Sequence, residues 1–147
     1  MEKHDEIPKV SFFKKSKESV EFDVLQLEVL FSRKKRLKPP IEKPHRVEFY
    51  QIFFIQEGSG THFIDFQSYD YNKGDAIFVS KGQIQSFEIN PETKGIMMLF
   101  TPAFLSKNLI HSDILSLYRL YNYHLYPPLI KSDDIKNSFT KIIFLII

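Results

Sequence analysis

The 147-residue chain contains no cysteine and no tryptophan. Without cysteine there is no disulfide framework, no thiolate metal site and no cysteine nucleophile, and the usage fits a reducing compartment, so a cytoplasmic protein is expected. Without tryptophan, the 15 Phe and 7 Tyr must supply most of the aromatic packing volume. An excess of either charge is missing too: a formal net charge of +2 is too small to demand a polyanionic partner. No apolar run approaches the ~20 residues that a bilayer crossing needs. The opening MEKHDEIPKV carries Glu2, Asp5 and Glu6 where a secretory signal has its apolar core, so no membrane partner is expected. Also missing are a glycine-rich phosphate loop, H-E-x-x-H, G-x-S-x-G and a Ser-His-Asp arrangement, which leaves no visible residue set for enzymatic chemistry.

What is present suits one domain. A composition of 43% apolar and 26% charged residues is globular, and a chain of this size buries roughly two-thirds of the surface its unfolded form exposes. Residues 1–20 read as an arm around Val10, Phe12 and Phe13, able to fold over something apolar. The run from Phe22 to Phe31 predicts a strand, ended by a basic cluster at Arg33, Lys34, Lys35, Arg36 and Lys38 that reads as a solvated turn, since no aromatic residues interleave for nucleic-acid contact. The dense run EFYQIFFIQ at 48–56, then Gly58 and Gly60, then THFIDF at 61–66, predict a hairpin. Further strands are expected at Asp75–Ser80, Gln85–Ile89 and Gly95–Thr101, between turns at Asn72-Lys73-Gly74, Lys81-Gly82 and Asn90-Pro91. Short strands at about ten-residue spacing argue for a sandwich or barrel over 21–105.

The pattern changes after Pro102. Ser112 is placed to cap one helix bearing Ile114, Leu115, Leu117, Tyr118 and Tyr121, and Ser132-Asp133-Asp134 to open a second. In the second, Ile135, Phe139, Ile142, Ile143 and Ile146 share a face that stops at Ile147, so further protein or a partner helix is expected to cover it. Residues 106–147 therefore read as a helical dimerisation segment.

Two segments resemble the paired cupin signatures, G-x5-H-x-H-x3,4-E-x6-G and G-x5-P-x-G-x2-H-x3-N. His45 stands at the first histidine, Val47 at the second, Gln51 at the glutamate, and Gly58 closes the first segment. In the second, Gly74 opens, Ser80 replaces proline, Gly82 is kept, Gln85 replaces histidine and Ile89 replaces asparagine. The resemblance implies a mainly β fold, a cupin-like double-stranded β-helix or jelly-roll barrel followed by C-terminal α-helices. Metal-dependent cupins hold an ion at four of these positions, where converging imidazole and carboxylate donors suit a divalent cation. Here His45 alone survives beside two amides and a valine, so no metal and no cofactor is expected.

If Gln51 points inward, the period-two rule places Phe49 and Phe53 on the same face, and Gln85 shares its face with Phe87. Phe49, Phe53 and Phe87 have two readings, pocket wall or plain core. His62 likewise either enters the pocket or is a satisfied strand histidine. Met97 completes the candidate ligand-binding set. His4, His111 and His124 are assigned nothing.

The run from Pro44 to Phe87 and GIMMLFTPAFL at 95–105 also resemble the N-terminal effector domain of AraC-type regulators. That resemblance implies a barrel binding a small polar metabolite or sugar, homodimerisation through the following helices, and DNA contact only through a separate C-terminal domain, which the residues after Pro128 are too few to supply. The alternative is a stand-alone cupin isomerase or dioxygenase with a rebuilt metal site.

Overall fold

The computed structural model describes residues 6–12, 21–33, 40–108, 110, 112–113, 115, 121–122 and 127–132. Its elements are β1 (Lys9–Val10), β2 (Phe22–Gln26), α1 (Leu27–Ser32), β3 (His45–Val47), β4 (Tyr50–Glu57), β5 (Gly60–Ile64), β6 (Gln67–Tyr71), β7 (Ala76–Val79), β8 (Ile84–Phe87), β9 (Lys94–Phe100), α2 (Pro102–Asn108) and β10 (Leu129–Ile130). The strands form two sheets, ordered β1-β3-β8-β5-β6 and β10-β7-β4-β9-β2. Pairing is antiparallel except between β1 and β3.

The density of EFYQIFFIQ follows from where β4 lies. Flanked by β7 and β9, it is covered on both faces, so its residues need not alternate with polar ones. Phe53 and Ile55 enter the core between the sheets, with Val47, Ile64, Ile77, Val79 and Met97. Ile52 enters a second core on the far side, with Phe78, Met98, Phe100, Leu105 and Tyr121. The outer face of the other sheet lacks such a cover among the described residues, and β5 and β6 place Thr61, Ser68 and Asp70 there, joined by a bond from the Thr61 hydroxyl to Asp70.

Several expectations need correction. The strand predicted over Phe22–Phe31 ends at Gln26 and turns into α1, because Leu27 and Phe31, four apart, both reach the core. Arg33, at the end of α1, therefore leaves a helix, not a strand; the rest of the basic cluster lies outside the described residues. The hairpin predicted at Gly58–Gly60 is instead a corner between sheets: β4 pairs with β7 and β9, whereas β5 pairs with β6 and β8. Gly58 has φ +86°, and a Cβ there would meet the Glu92 carbonyl oxygen at 2.9 Å.

The segment THFIDF holds the end of one strand and a turn, and the sequence reading missed β6 beyond it. Asp65 and Phe66 both have positive φ, the geometry of a two-residue primed hairpin made without glycine. The Asp65 carboxylate supports it by accepting bonds from the Ile84 N–H at 3.0 Å and the Gln83 amide at 2.9 Å.

Of the two expected C-terminal helices, Ser112, Asp113, Leu115, Tyr121 and Ser132 fall among the described residues, and the other named positions lie outside them. Tyr121, expected on a helical stripe, occupies a turn and is buried in the second core. Leu129 and Ile130 pair with Ile77 and Ala76, so part of the segment expected to be helical is a strand of the barrel. Buried Asp75 fastens it, accepting bonds from the backbone N–H groups of Asn72 at 2.8 Å and Ser132 at 3.1 Å, and from Lys131 Nζ at 3.2 Å. Asp75→Asn presents an NH2 edge to donors whichever way it turns, and is expected to cost about 1–2 kcal/mol in urea denaturation.

Candidate functional site

A cavity of about 170 Å3 lies between the two sheets. One sheet contributes His45, Val47, Gln85 and Phe87, and the other Gln51, Met97 and Leu99. Phe49 stands between β3 and β4, and Val10, Leu30 and Ile41 complete the lining. Strand register explains the convergence. His45 pairs with Gln85 across β3 and β8, while Gln51 faces them from the opposite sheet.

A chain of hydrogen bonds joins the sheets through the cavity wall. His62 Nε2 lies 2.9 Å from Gln85 Oε1, Gln85 Nε2 lies 2.7 Å from Gln51 Oε1, and Gln51 Nε2 lies 3.9 Å from the Met97 sulfur. The thioether can only accept, so Gln51 donates to it. Gln51 must then accept from Gln85, and Gln85 from an Nε2–H of neutral His62. One acceptor thus orients the whole series. The main-chain carbonyl of Gln51 accepts the Tyr121 hydroxyl at 3.0 Å from the second core, so this residue is held on both faces of its sheet.

Both histidines favour the neutral form. Burial holds His62 at about 4, partly opposed by its bond to Gln85 and reinforced by nearby His45. Burial also lowers His45, opposed by the bond from Nδ1–H to the Lys43 carbonyl at 2.9 Å. With Nδ1 donating, His45 Nε2 keeps its lone pair. Its ring lies nearly parallel to Phe87, 13° between planes, and His62 meets the same ring edge-on at 4.6 Å.

The donor set does not fit a divalent metal. His45 keeps the posture of a ligand, with one nitrogen tied to a carbonyl and the other free. Both amide oxygens accept internal bonds, His62 spends Nε2 as a donor, and Val47 has nothing to offer. Among the described residues no group of three His, Cys, Asp or Glu side chains stands close enough to hold an ion.

Of the sequence-predicted residues, His45, Phe49, Gln51, Gln85, Phe87 and Met97 line the cavity. Phe53 and His62 do not: they border a void of only about 10 Å3 with Phe31, Tyr71 and Ile77, packed against each other with ring centroids 5.1 Å apart. Phe53 is core, and His62 reaches the cavity only through Gln85. Sequence reasoning missed Val10, Leu30, Ile41 and Leu99 as wall residues. Leu99 was within reach, because it shares the period-two face of Met97.

A two-sheet barrel with an internal cavity at the cupin ligand positions defines a cupin-type small-molecule-binding domain. Residues 41–130 match the family model described as the AraC-like ligand binding domain, and the chain belongs to that family. Comparison with curated proteins found no match. Among solved structures, the chain is similar to the EutQ protein of Clostridium difficile (21% identity, TM-score 0.35, covering 41% of this chain and 49% of that one). It is also similar to a Cupin 2 conserved barrel domain protein from Salinispora arenicola (14%, 0.35, 41% and 52%), and to a single-substitution variant of the oxalate decarboxylase of Bacillus subtilis (16%, 0.36, 66% and 27%). The chain spans about half or less of the length of these proteins, and no activity is carried over from them. No described helix is long and apolar enough to cross a membrane.

Proposed function

We propose that this chain is the effector-sensing part of an AraC-type transcription regulator. The barrel takes up a small metabolite and does not transform it, residues after the barrel pair two copies, and DNA is reached only through a domain outside these 147 residues. The observation that carries the reading is what the four cupin ligand positions present to one cavity: an imidazole, two amides and an isopropyl group. Such a wall suits binding, and among the described residues its one imidazole is driven toward the neutral form by burial. A ligand held there shifts the population of whichever arrangement of arm and C-terminal segment binds it better.

Thermal-shift screening against metabolites and sugars, followed by calorimetry, tests the reading. A ligand raises the melting temperature according to its concentration relative to Kd. Gln85→Ala is expected to weaken such a ligand at least tenfold, since it removes the middle of the amide chain; unchanged affinity would take these residues out of the site. A stoichiometric transition metal whose removal abolishes turnover would replace the receptor reading with an enzymatic one.

A further inference from the structure

We propose that the cavity selects an uncharged, largely apolar molecule of about six to ten non-hydrogen atoms bearing a single hydroxyl group, and discriminates against carboxylates and polyols. The proposal rests on the receptor reading above and narrows it to a ligand class.

Size comes first. A cavity of about 170 Å3 is close to the ~150 Å3 engineered apolar cavity that takes benzene. A molecule of that scale fills it without forcing the sheets apart. Composition comes second. The walls contributed by Val10, Leu30, Ile41, Val47 and Leu99, with the rings of Phe49 and Phe87, are hydrocarbon. They reward apolar surface and offer nothing to a ring of hydroxyls. Each sugar hydroxyl turned toward them exchanges water for no partner, a loss of about tenfold or more in affinity.

Charge is excluded by the same residues. Among the described residues no Asp, Glu, Lys or Arg side chain lines the cavity, and burial drives the imidazole that does toward its neutral form. A carboxylate against these walls would find no cationic side chain among the described residues to pair with. The polar end is more specific. Because the Met97 sulfur orients the amide chain, Gln51 and Gln85 each direct one amide hydrogen into it and retain a second that no acceptor among the described residues takes up. His45 Nε2 retains a lone pair. The protein's unused capacity is therefore N–H donors beside one acceptor. A hydroxyl, which both accepts and donates, answers either kind; an amine cation answers only the acceptor, and an ether only the donors.

Titration calorimetry on the full chain with benzyl alcohol, benzoate, toluene and D-xylose tests this class. Benzyl alcohol is expected to bind at least tenfold more tightly than benzoate, which has the same ring with a charge, and at least tenfold more tightly than D-xylose. Gln51→Leu should weaken benzyl alcohol about tenfold while leaving toluene unchanged, a signature that loss of folding cannot imitate. Val47→Phe, which fills the cavity, should abolish binding of both. Benzoate or D-xylose binding as tightly as benzyl alcohol, and lost in Val47→Phe, would overturn the ligand class and leave the receptor reading standing. Failure of all four compounds to bind overturns the class. If the wider screen also finds no ligand sensitive to Val47→Phe, the receptor reading falls with it.

Discussion

Gly95→Ala is expected to destabilise the barrel by about 3–5 kcal/mol, a large share of the roughly 5–15 kcal/mol available to a domain. Gly95 lies in β9 opposite Ile55, where the β4–β9 register shifts between Ile55 and Glu57. A Cβ at this position falls inside any real contact distance of the Phe54 carbonyl oxygen, 3.2 Å from its carbonyl carbon and 3.1 Å from Leu27 Cδ1. The first two obstacles are backbone in the middle of a ladder, so no rotamer change relieves them. Either β9 parts from β4, or α1 and β4 shift together into the cavity wall. The Gly95 N–H is also committed, donating to the Glu28 carboxylate of α1 at 3.3 Å. Gly82→Ala separates steric conflict from backbone conformation. Gly82 has φ +94° with nothing within 4 Å of the added Cβ, so that variant bears conformational strain alone, about 1 kcal/mol. Denaturant midpoints compare the two. Equal losses would mean that the close approach of β9 to Phe54 does not matter to stability.

How much of this was legible in the sequence differs by feature, for physical reasons. His45, Gln51 and Gln85 were traced to one cavity because the cupin spacing survives where the residue types differ, and spacing records which strand positions converge. Phe49 and Phe87 follow from alternation beside Gln51 and Gln85. Alternation also put Phe53 on the inward face, where it lies beside His62, but a period of two specifies the face and not the depth along the barrel axis. Phe53 is even the register partner of Met97, yet only Met97 touches the cavity. Leu30 was hidden because FDVLQLEVLF satisfies a strand pattern while its second half folds as α1. Val10 and Ile41 reach the site through tertiary contacts that no local pattern encodes. The Asp65-Phe66 turn escaped notice because it lacks glycine, its positive φ angles being supported by hydrogen bonds from Gln83 and Ile84. Gly58 announced a turn correctly but not which sheet the chain would enter, since that choice depends on β4 lying between β7 and β9.

Acid should undo the fold through the residue behind the cavity. His62 has a folded-state value of about 4 against an ordinary 6.5, because burial disfavours the imidazolium. Between these two values the unfolded chain binds a proton that the folded one refuses, so stability falls as pH decreases. The contribution is fully present above about pH 6.5, is reduced by about 2 kcal/mol at about pH 5, and is lost to the extent of about 3 kcal/mol by about pH 4, below which His62 adds no further slope. His45, also lowered by burial, acts in the same direction. Urea denaturation at intervals from pH 8 to 4 measures the slope. His62→Gln should remove most of it while keeping an N–H to donate to Gln85 Oε1, and a slope left intact in that variant would assign the acid sensitivity elsewhere. Ligand affinity should respond differently. Neutral His62 already supplies the proton that Gln85 accepts, so binding should stay level from pH 8 to 6.5 and weaken only as the imidazoles begin to charge and the barrel to open.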